Sequence, residues 1–164
     1  MHFPLLSTAL CVAALQPVLL EAAEAGGTSL FAQQITRAGS QPSAAGPAAN
    51  FTGQVRVDTI WPADDDISAS GALVTFEPGS RSAWHMHPTG QRLVVVSGMG
   101  LTQEWGKPVQ EIRPGDVVWC PPGVKHWHGA ASKTAMTHLA VTGTKDGKNV
   151  EWMEKVSDDQ YNSR

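Results

Sequence analysis

A chain of 164 residues with a formal net charge of −3 is long enough to enclose one hydrophobic core and form one domain. A charge so close to neutral excludes strong electrostatic attraction to nucleic acid or to an anionic membrane surface. We therefore expect neither of these as a partner.

The first 25 residues are typical of a secretory signal peptide. The apolar run LLSTALCVAALQPVLL leads into EAAEA, where Ala23 and Ala25 form an A-x-A cleavage pattern. Pro17 and Glu21 leave the run shorter than the about 20 apolar residues of a spanning helix. We predict cleavage after residue 25, a mature net charge of −1, no membrane segment, and export to the periplasm or outside the cell. Because MHFP lacks the usual starting Lys or Arg, an N-terminal anchor or a misassigned start is the alternative.

Residues 26–50 are rich in Ala, Gly, Ser, Pro and Gln and show neither a helical nor a strand period. This composition is typical of an extended or mobile arm. Since such an arm can lend a strand to the sheet edge of a neighbouring copy, we predict a homodimer or homotetramer.

Residues 51–164 contain short apolar segments separated by Gly and Pro turns. Six segments have the length and β-branched content of strands: GQVRVDTIW, GALVTF, QRLVVVSG, VQEI, DVVWC and TAMTHLAVTG. The sequences EPGS, SGMG, IRPGD and CPPG between them have turn chemistry. A helix is expected only in EWMEKVSDDQY, residues 151–161. The pattern predicts an all-β, antiparallel sandwich or barrel with a short C-terminal helix.

Two histidine pairs lie in Gly-rich and Pro-rich contexts about forty residues apart. His85 and His87 belong to AWHMHPTGQ, and His126 and His128 belong to CPPGVKHWHG. Because side chains alternate along a strand, both members of each pair face the same side. If the two strands face each other inside a barrel, the four imidazoles converge beside the amide of Gln91. Such a donor set suits Mn, Fe, Co, Ni or Zn and is too rich in nitrogen for Ca or Mg.

A simpler structural interpretation exists for each of these residues. An isolated His pair on a strand is more often a surface feature or a hydrogen-bonded core feature, but two pairs in matching contexts favour metal binding. His138, in TAMTHLAV, is either a pocket residue or a satisfied interior histidine. Cys120 is the only thiol left after signal cleavage, which argues against a thiolate zinc site and excludes an intramolecular disulfide. Arg81 and Lys125, close to the two motifs, are expected to face solvent.

The two motifs resemble the signatures of the cupin superfamily, which are small jelly-roll β-barrels. The first motif of that superfamily supplies two His and a Glu, and the second supplies a His. Within the superfamily, TFEPGSRSAWHMHPTGQ, RPGDVVWCPPGVKHWHGA and AMTHLA resemble small bacterial cupins described as manganese-dependent hydroxynitrile lyases. This likeness runs from about Ile35 to the end, and Gln91, which departs from the general motif, matches the narrower group.

The resemblance implies a single-domain cupin-like antiparallel β-barrel (jelly roll) over residues 51–164. It also implies a divalent ion, with manganese first and iron or zinc as alternatives, bound by His85, His87, Gln91 and His126. A neutral amide ligand would leave the ion its full double charge and make it a stronger Lewis acid. His128 and His138 would line the pocket, and His138, or else His128, would move a proton between the substrate hydroxyl and cyanide.

The function implied is that of a metal-dependent carbon–carbon lyase that cleaves or forms cyanohydrins, giving an aldehyde and hydrogen cyanide from a small-molecule substrate. One alternative is a metal-dependent dioxygenase, decarboxylase or isomerase on the same fold. Gln91 argues against an oxygenase, since non-haem iron oxygenases commonly retain a carboxylate ligand. The other alternative is a non-enzymatic exported barrel that binds a small ligand or a metal. We expect Ala72, Val74 and Thr142 to line the pocket and tune the choice of substrate.

Overall fold

The computed structural model describes residues 32–163. The predicted signal peptide, residues 1–25, lies outside these residues, so its cleavage and the export of the chain stay predictions. All described strands and the described helix belong to one compact unit, residues 36–164. Within residues 32–163, no helix is long and apolar enough to cross a membrane.

Thirteen β-strands and one short helix make up the described fold. In chain order they are β1 (Ser43–Ala45), β2 (Phe51–Thr52), β3 (Val55–Trp61), β4 (Ala69–Phe76), β5 (Arg81–Ser82), β6 (His85–Met86), β7 (Gln91–Gly98), β8 (Gly100–Glu104), β9 (Gln110–Ile112), β10 (Val117–Cys120), β11 (His126–Ala130), β12 (Met136–Gly143), β13 (Glu151–Trp152) and α1 (Asp158–Asn162). The expected all-β fold with a short C-terminal helix is confirmed.

The strands form two antiparallel sheets. The first sheet has six strands in the order β1-β3-β4-β12-β7-β10. The second has seven: β13-β6-β11-β5-β2 form a continuous row, and β8 joins β11 to β9. Non-consecutive neighbours such as β12 between β4 and β7 place segments distant in sequence side by side, as in a jelly roll.

The interior lies between the two sheets, where alternate residues of each strand point inward. In β12 every second residue from Met136 is buried, so His138 and Thr142 face inward. Phe76 and Val95 of the first sheet meet Phe51 of the second in one apolar cluster. A second cluster, in which Trp127 meets Val156 and Tyr161, lies under the C-terminal residues. All five residues of β11 are therefore buried, with the histidines facing inward and Trp127 covered by the end of the chain.

The two ends of the described chain differ in detail from the sequence prediction. Residues 43–45 of the predicted arm form β1, which pairs with β3 of the same chain, with Ser43 opposite Asp58. The helix predicted over residues 151–161 forms only at Asp158–Asn162. It begins there because the Ser157 side chain accepts from the Gln160 amide N–H in a capping box. Residues 151–152 form β13 instead and pair with β6.

Candidate metal centre

The register of the second sheet brings the two histidine pairs together. His85 on β6 lies directly opposite His126 on β11 in the antiparallel pairing. Strand alternation then places His128 on the same inward face as His126. Gln91 begins β7 in the other sheet and lies opposite Thr142 of β12. Residues from four strands and both sheets thus face one region of the interior.

Four of the six histidines of the chain converge closely there. The ring centroid of His85 lies 4.3 Å from that of His126, 5.0 Å from that of His87 and 5.2 Å from that of His128. His85, His126 and His128 can each present a ring nitrogen within 4.8 Å of the other two. His87 falls outside that tightest group, although its ring centroid is 5.4 Å from that of His126. All four side chains are buried.

Backbone carbonyl groups fix the tautomers of three of these histidines. Nδ1 of His85 lies 2.9 Å from the Ala83 oxygen, Nδ1 of His87 lies 2.5 Å from the Asn149 oxygen, and Nδ1 of His126 lies 2.9 Å from the Val124 oxygen. Because a carbonyl oxygen only accepts, each Nδ1 carries the hydrogen and each Nε2 keeps a lone pair. Metal-ligating histidines are commonly oriented by this kind of contact.

Gln91 is oriented in a comparable way by a neighbouring hydroxyl group. Its Nε2 donates to Oγ1 of Thr142 over 2.9 Å. Its Oε1 is buried and has no hydrogen-bond partner among the described residues, and neither has Nε2 of His87 or of His126. Buried polar atoms are nearly always satisfied, so a group of such acceptors side by side requires an explanation. These lone pairs fit a bound divalent cation.

His128 and His138 form a separate pair across the interior of the barrel. Nε2 of His138 lies 3.1 Å from Nδ1 of His128, and both rings are buried against Phe76. The remaining nitrogens, Nε2 of His128 and Nδ1 of His138, have no partner within the described residues. Since one ring donates and the other accepts in this bond, one free nitrogen is a donor and the other is an acceptor.

Burial keeps all five interior histidines neutral near pH 7. Desolvation is the main cause of each shift: it lowers the pKa of His126 to about 4 and that of His138 to about 3. The pKa of His85 and that of His128 lie well below 6.5 for the same reason, reinforced by neighbouring histidines. The pKa of His87 is also lowered by burial. Neutral imidazole is the form that binds metal.

Cys120 does not supply a thiolate to this site. It is buried, and desolvation raises the pKa of its thiol to about 12. Thiolate is the form of cysteine that binds metal or acts as a nucleophile, and it is not populated near pH 7 at this pKa. The donor set therefore consists of imidazole nitrogens and an amide oxygen.

A cavity of about 280 Å³ leads to these side chains. His85, His87, Gln91, His128 and His138 line its polar part. The apolar part is lined mainly by Phe51, Val57, Ala72, Val74, Ala140 and Trp152. Ala72, Val74 and Thr142 thus lie where the sequence analysis expected them, on the cavity wall.

The sequence analysis missed the carbonyl group that orients His87 and was wrong about the exposure of Arg81. The Asn149 carbonyl orients His87, and no sequence signal marks it because any residue offers a carbonyl. Trp152, which is 36% exposed, places its ring 4.9 Å from that of His85. Arg81 was expected to face solvent, and this is wrong: it is 6% exposed, because the end of the chain covers it. Lys125 is also partly covered, with its ammonium nitrogen 3.6 Å from the centre of the Trp105 ring.

Known proteins are similar to this chain in sequence or in fold. The cupin domain family matches residues 72–142. The (R)-mandelonitrile lyase of Granulicella tundricola is 59% identical over 128 residues, which are 78% of this chain and 98% of that protein. The crystal structure of a cupin-like protein from Thermotoga maritima matches with a TM-score of 0.68 and 37% identity, over 79% of this chain and 95% of that one. A cupin-2 domain protein of Rhodospirillum rubrum matches in fold, with a TM-score of 0.60 and 18% identity over 74% and 80% of the two chains.

Together, the geometry and these similarities indicate a site for a divalent metal ion. Three buried histidines lie close together inside a barrel that matches the cupin domain. Imidazole and amide donors suit borderline divalent ions such as manganese, iron or zinc.

Proposed function

The chain belongs to the cupin family, and because it is similar to a bacterial hydroxynitrile lyase we propose that it is a metal-dependent lyase that cleaves and forms cyanohydrins. The observation that carries this proposal is the set of buried, unpartnered polar atoms beside an apolar cavity. Nε2 of His87 and His126 and Oε1 of Gln91 would face a cation, and the free nitrogens of His128 and His138 would face a substrate. The 59% identity to (R)-mandelonitrile lyase supports this reaction class.

His85, His87, His126 and Gln91 would hold the ion, which we propose to be manganese. When bound, such an ion supplies Lewis acidity that lowers the pKa of a substrate hydroxyl group. The chain keeps its imidazoles neutral by burial and fixes three of them through backbone carbonyls. Binding of the metal ion at this site would therefore require little reorganisation of the protein.

The His128–His138 pair supplies both a base and a hydrogen-bond donor. If Nε2–H of His138 donates to Nδ1 of His128, then Nδ1 of His138 is a free base and Nε2–H of His128 is a free donor. The base takes the hydroxyl proton of the cyanohydrin. The carbon–carbon bond breaks, its electron pair leaves with cyanide, and the carbonyl group forms. Cyanide then takes the proton from the base and leaves as hydrogen cyanide.

The composition of the cavity wall favours a substrate with an apolar side group. Phe51, Val74 and Trp152 give the wall aromatic and aliphatic surface, and the polar groups lie together at the histidines. A ligand with one apolar part and one hydroxyl-bearing carbon matches this division. Mandelonitrile, the substrate named for the Granulicella protein, has this character.

The decisive experiment measures benzaldehyde release from mandelonitrile at mildly acidic pH, where the background reaction is slow. Chelator-stripped protein is compared with the same protein reloaded with manganese, and manganese without protein is the control. We expect activity to disappear and to return with the metal. No release above background from protein whose site is filled would contradict the proposal, and oxygen consumption with the iron-loaded protein would then test the oxygenase alternative.

We also propose that the chain is a homodimer or homotetramer. Val117 and Trp119 on β10 lie opposite Val94 and Arg92 on β7, so their side chains share the outer face of the first sheet. Val117 and Trp119 are exposed there, as is Val96 two residues further along β7. An apolar outer face supports contact with a second copy. Light scattering on the mature protein tests this, and a strictly monomeric result would contradict it.

A further inference from the structure

The end of the chain forms a strap along the strand that carries the first histidine pair. We define the C-terminal strap as residues 149–162. Its β13 pairs with β6, so that Trp152 lies opposite His85. The pairing continues beyond β13, because the Trp84 N–H donates to the Glu154 oxygen and the Met153 N–H donates to the Trp84 oxygen, both over 2.9 Å. The position of β6 thus depends on the strap.

The strap also contacts both histidines of the first pair. The Asn149 oxygen accepts from Nδ1 of His87 over 2.5 Å, which sets the tautomer of that ring. The centroid of the Trp152 ring lies 4.9 Å from that of His85, with an angle of 40° between the rings, and 5.5 Å from that of Phe51. Displacement of the strap would remove the hydrogen bond that orients the His87 ring and one of the packing partners of His85.

Arg81 is a buried, charged anchor of the strap. Its Nε and Nη2 donate to the Val156 oxygen over 3.1 and 3.0 Å, and Nη2 also donates to Oδ1 of Asp158 over 2.6 Å. Its guanidinium carbon lies 4.8 Å from the centre of the Tyr161 ring. A buried guanidinium is costly unless its donors are satisfied, and the strap supplies most of its acceptors.

Arg81 also belongs to the sheet that holds the second histidine pair. It lies opposite Gly129 of β11, the residue that follows His128. A Cβ added at Gly129 would lie 2.7 Å from Cα and Cβ of Arg81, so the two strands approach closely at this point. Arg81 therefore connects the strap to the strand of His126 and His128 without reaching the cavity itself.

We propose that Arg81 is a positioning residue for the metal centre. It docks the C-terminal strap, and the docked strap holds His85 and His87 in the geometry that binds the ion. This inference rests on the metal binding in the proposed function but not on the lyase reaction. Other contacts also hold the strap: the buried Tyr161 hydroxyl donates to the Ala130 oxygen over 2.8 Å, and Lys155 donates to the Ala48 and Phe51 oxygens. The Lys125–Glu154 ion pair and the hydrogen bond from Trp84 to Gln160 are more exposed, and exposed ion pairs contribute little.

The test measures manganese binding rather than turnover. Full-length wild type, R81M and R81K are stripped of metal, and free manganese is followed by electron paramagnetic resonance during titration. We expect R81M to raise the dissociation constant about tenfold, at the low end of the range for groups that orient ligands. R81K, which keeps the charge and one donor for Val156, should recover part of the affinity. The matched control is R113M, because Arg113 is exposed and pairs with Glu111 away from the strap.

Hydrogen exchange separates positioning from a general loss of stability. In R81M the amides of Met153 and Trp84 should exchange faster, and the amide of Leu139 in β12 should keep its protection. A merely structural role would lower the melting temperature and leave the manganese dissociation constant of the folded protein unchanged. That result would overturn the inference.

A second variant decides the matter if R81M does not fold. D158N removes one partner of Arg81 at an exposed side chain, and we expect it to weaken manganese binding about two- to fivefold. Unchanged binding by D158N would then overturn the inference.

Wild-type protein that binds no divalent ion would overturn the metal centre, and this inference with it. Normal manganese binding without lyase activity would overturn the proposed reaction alone.

Discussion

Two groups of histidines share one interior and differ in their hydrogen-bond partners. His85, His87 and His126 each donate from Nδ1 to a backbone carbonyl, which cannot exchange roles. His128 and His138 are bonded to each other, so the hydrogen between them can belong to either ring. Burial and lowered pKa are common to both groups. The partner of Nδ1, rather than the residue type, therefore distinguishes the proposed metal ligands from the proposed carrier of protons.

The largest expected effect comes from removing a ligand of the first group. We predict that His87→Ala loses bound manganese, while His128→Ala retains it, because His87, unlike His128, has a tautomer fixed by a backbone carbonyl. Metal content by mass spectrometry after gel filtration checks this. Retention by His87→Ala together with loss by His128→Ala would instead make His128 the third imidazole ligand, as its closeness to His85 and His126 allows.

The second group should affect turnover without affecting metal content. We predict that His138→Ala retains manganese and lowers kcat for mandelonitrile cleavage by roughly 10²- to 10⁴-fold, the usual contribution of a positioned proton carrier. Thr137→Val, at the neighbouring outward-facing position of β12, is the matched control and should change kcat little. Wild-type turnover by His138→Ala would remove this residue from the mechanism.

A substitution of Gln91, the proposed fourth ligand beside the first group of histidines, tests how the net charge of the ligands affects metal binding and turnover. Gln91→Glu adds a negative ligand, so we expect tighter manganese binding and a lower kcat by about tenfold, equivalent to about one unit in the pKa of the substrate hydroxyl. The Thr142 hydroxyl, which now accepts from Gln91, can rotate to donate to the new carboxylate. Titration calorimetry and steady-state kinetics measure the two effects. A higher kcat in Gln91→Glu would refute the argument from Lewis acidity.

The last expected effect concerns stability rather than function, is common to both groups and appears in the metal-free protein. Histidines whose pKa is lowered on folding stay neutral in the native state while the unfolded state takes up protons below pH 6.5. The free energy of unfolding should therefore fall as pH falls from 6.5 towards 4 and 3, because protonation then favours the unfolded state. Urea unfolding at pH 7, 6 and 5 in the presence of chelator measures this slope. A slope that is no smaller in His138→Phe than in wild type would contradict the part assigned to His138.

The fold and the family could be predicted from local patterns. Short β-branched segments between Gly and Pro turns predicted an antiparallel all-β barrel, and the histidine motifs predicted a cupin; both are confirmed. The helix at the end was predicted over residues 151–161, and only its last residues are helical, because β6 competes for the backbone of Glu151 and Trp152. The helical pattern of residues 151–161 contains no information about pairing with β6, which is distant in the sequence.

The sequence by itself determined which residue types could meet, because the spacing of His126 and His128 puts both on one face of β11, and His85 and His87 repeat that spacing across the end of β6. Tertiary structure decided which atoms meet. The register that opposes His85 to His126, the contact of His128 with His138 across the barrel, and the burial of Arg81 under the strap all join residues from separate strands. Alternation along a strand is a property of the local backbone, whereas register and sheet packing are set by the burial of the whole chain.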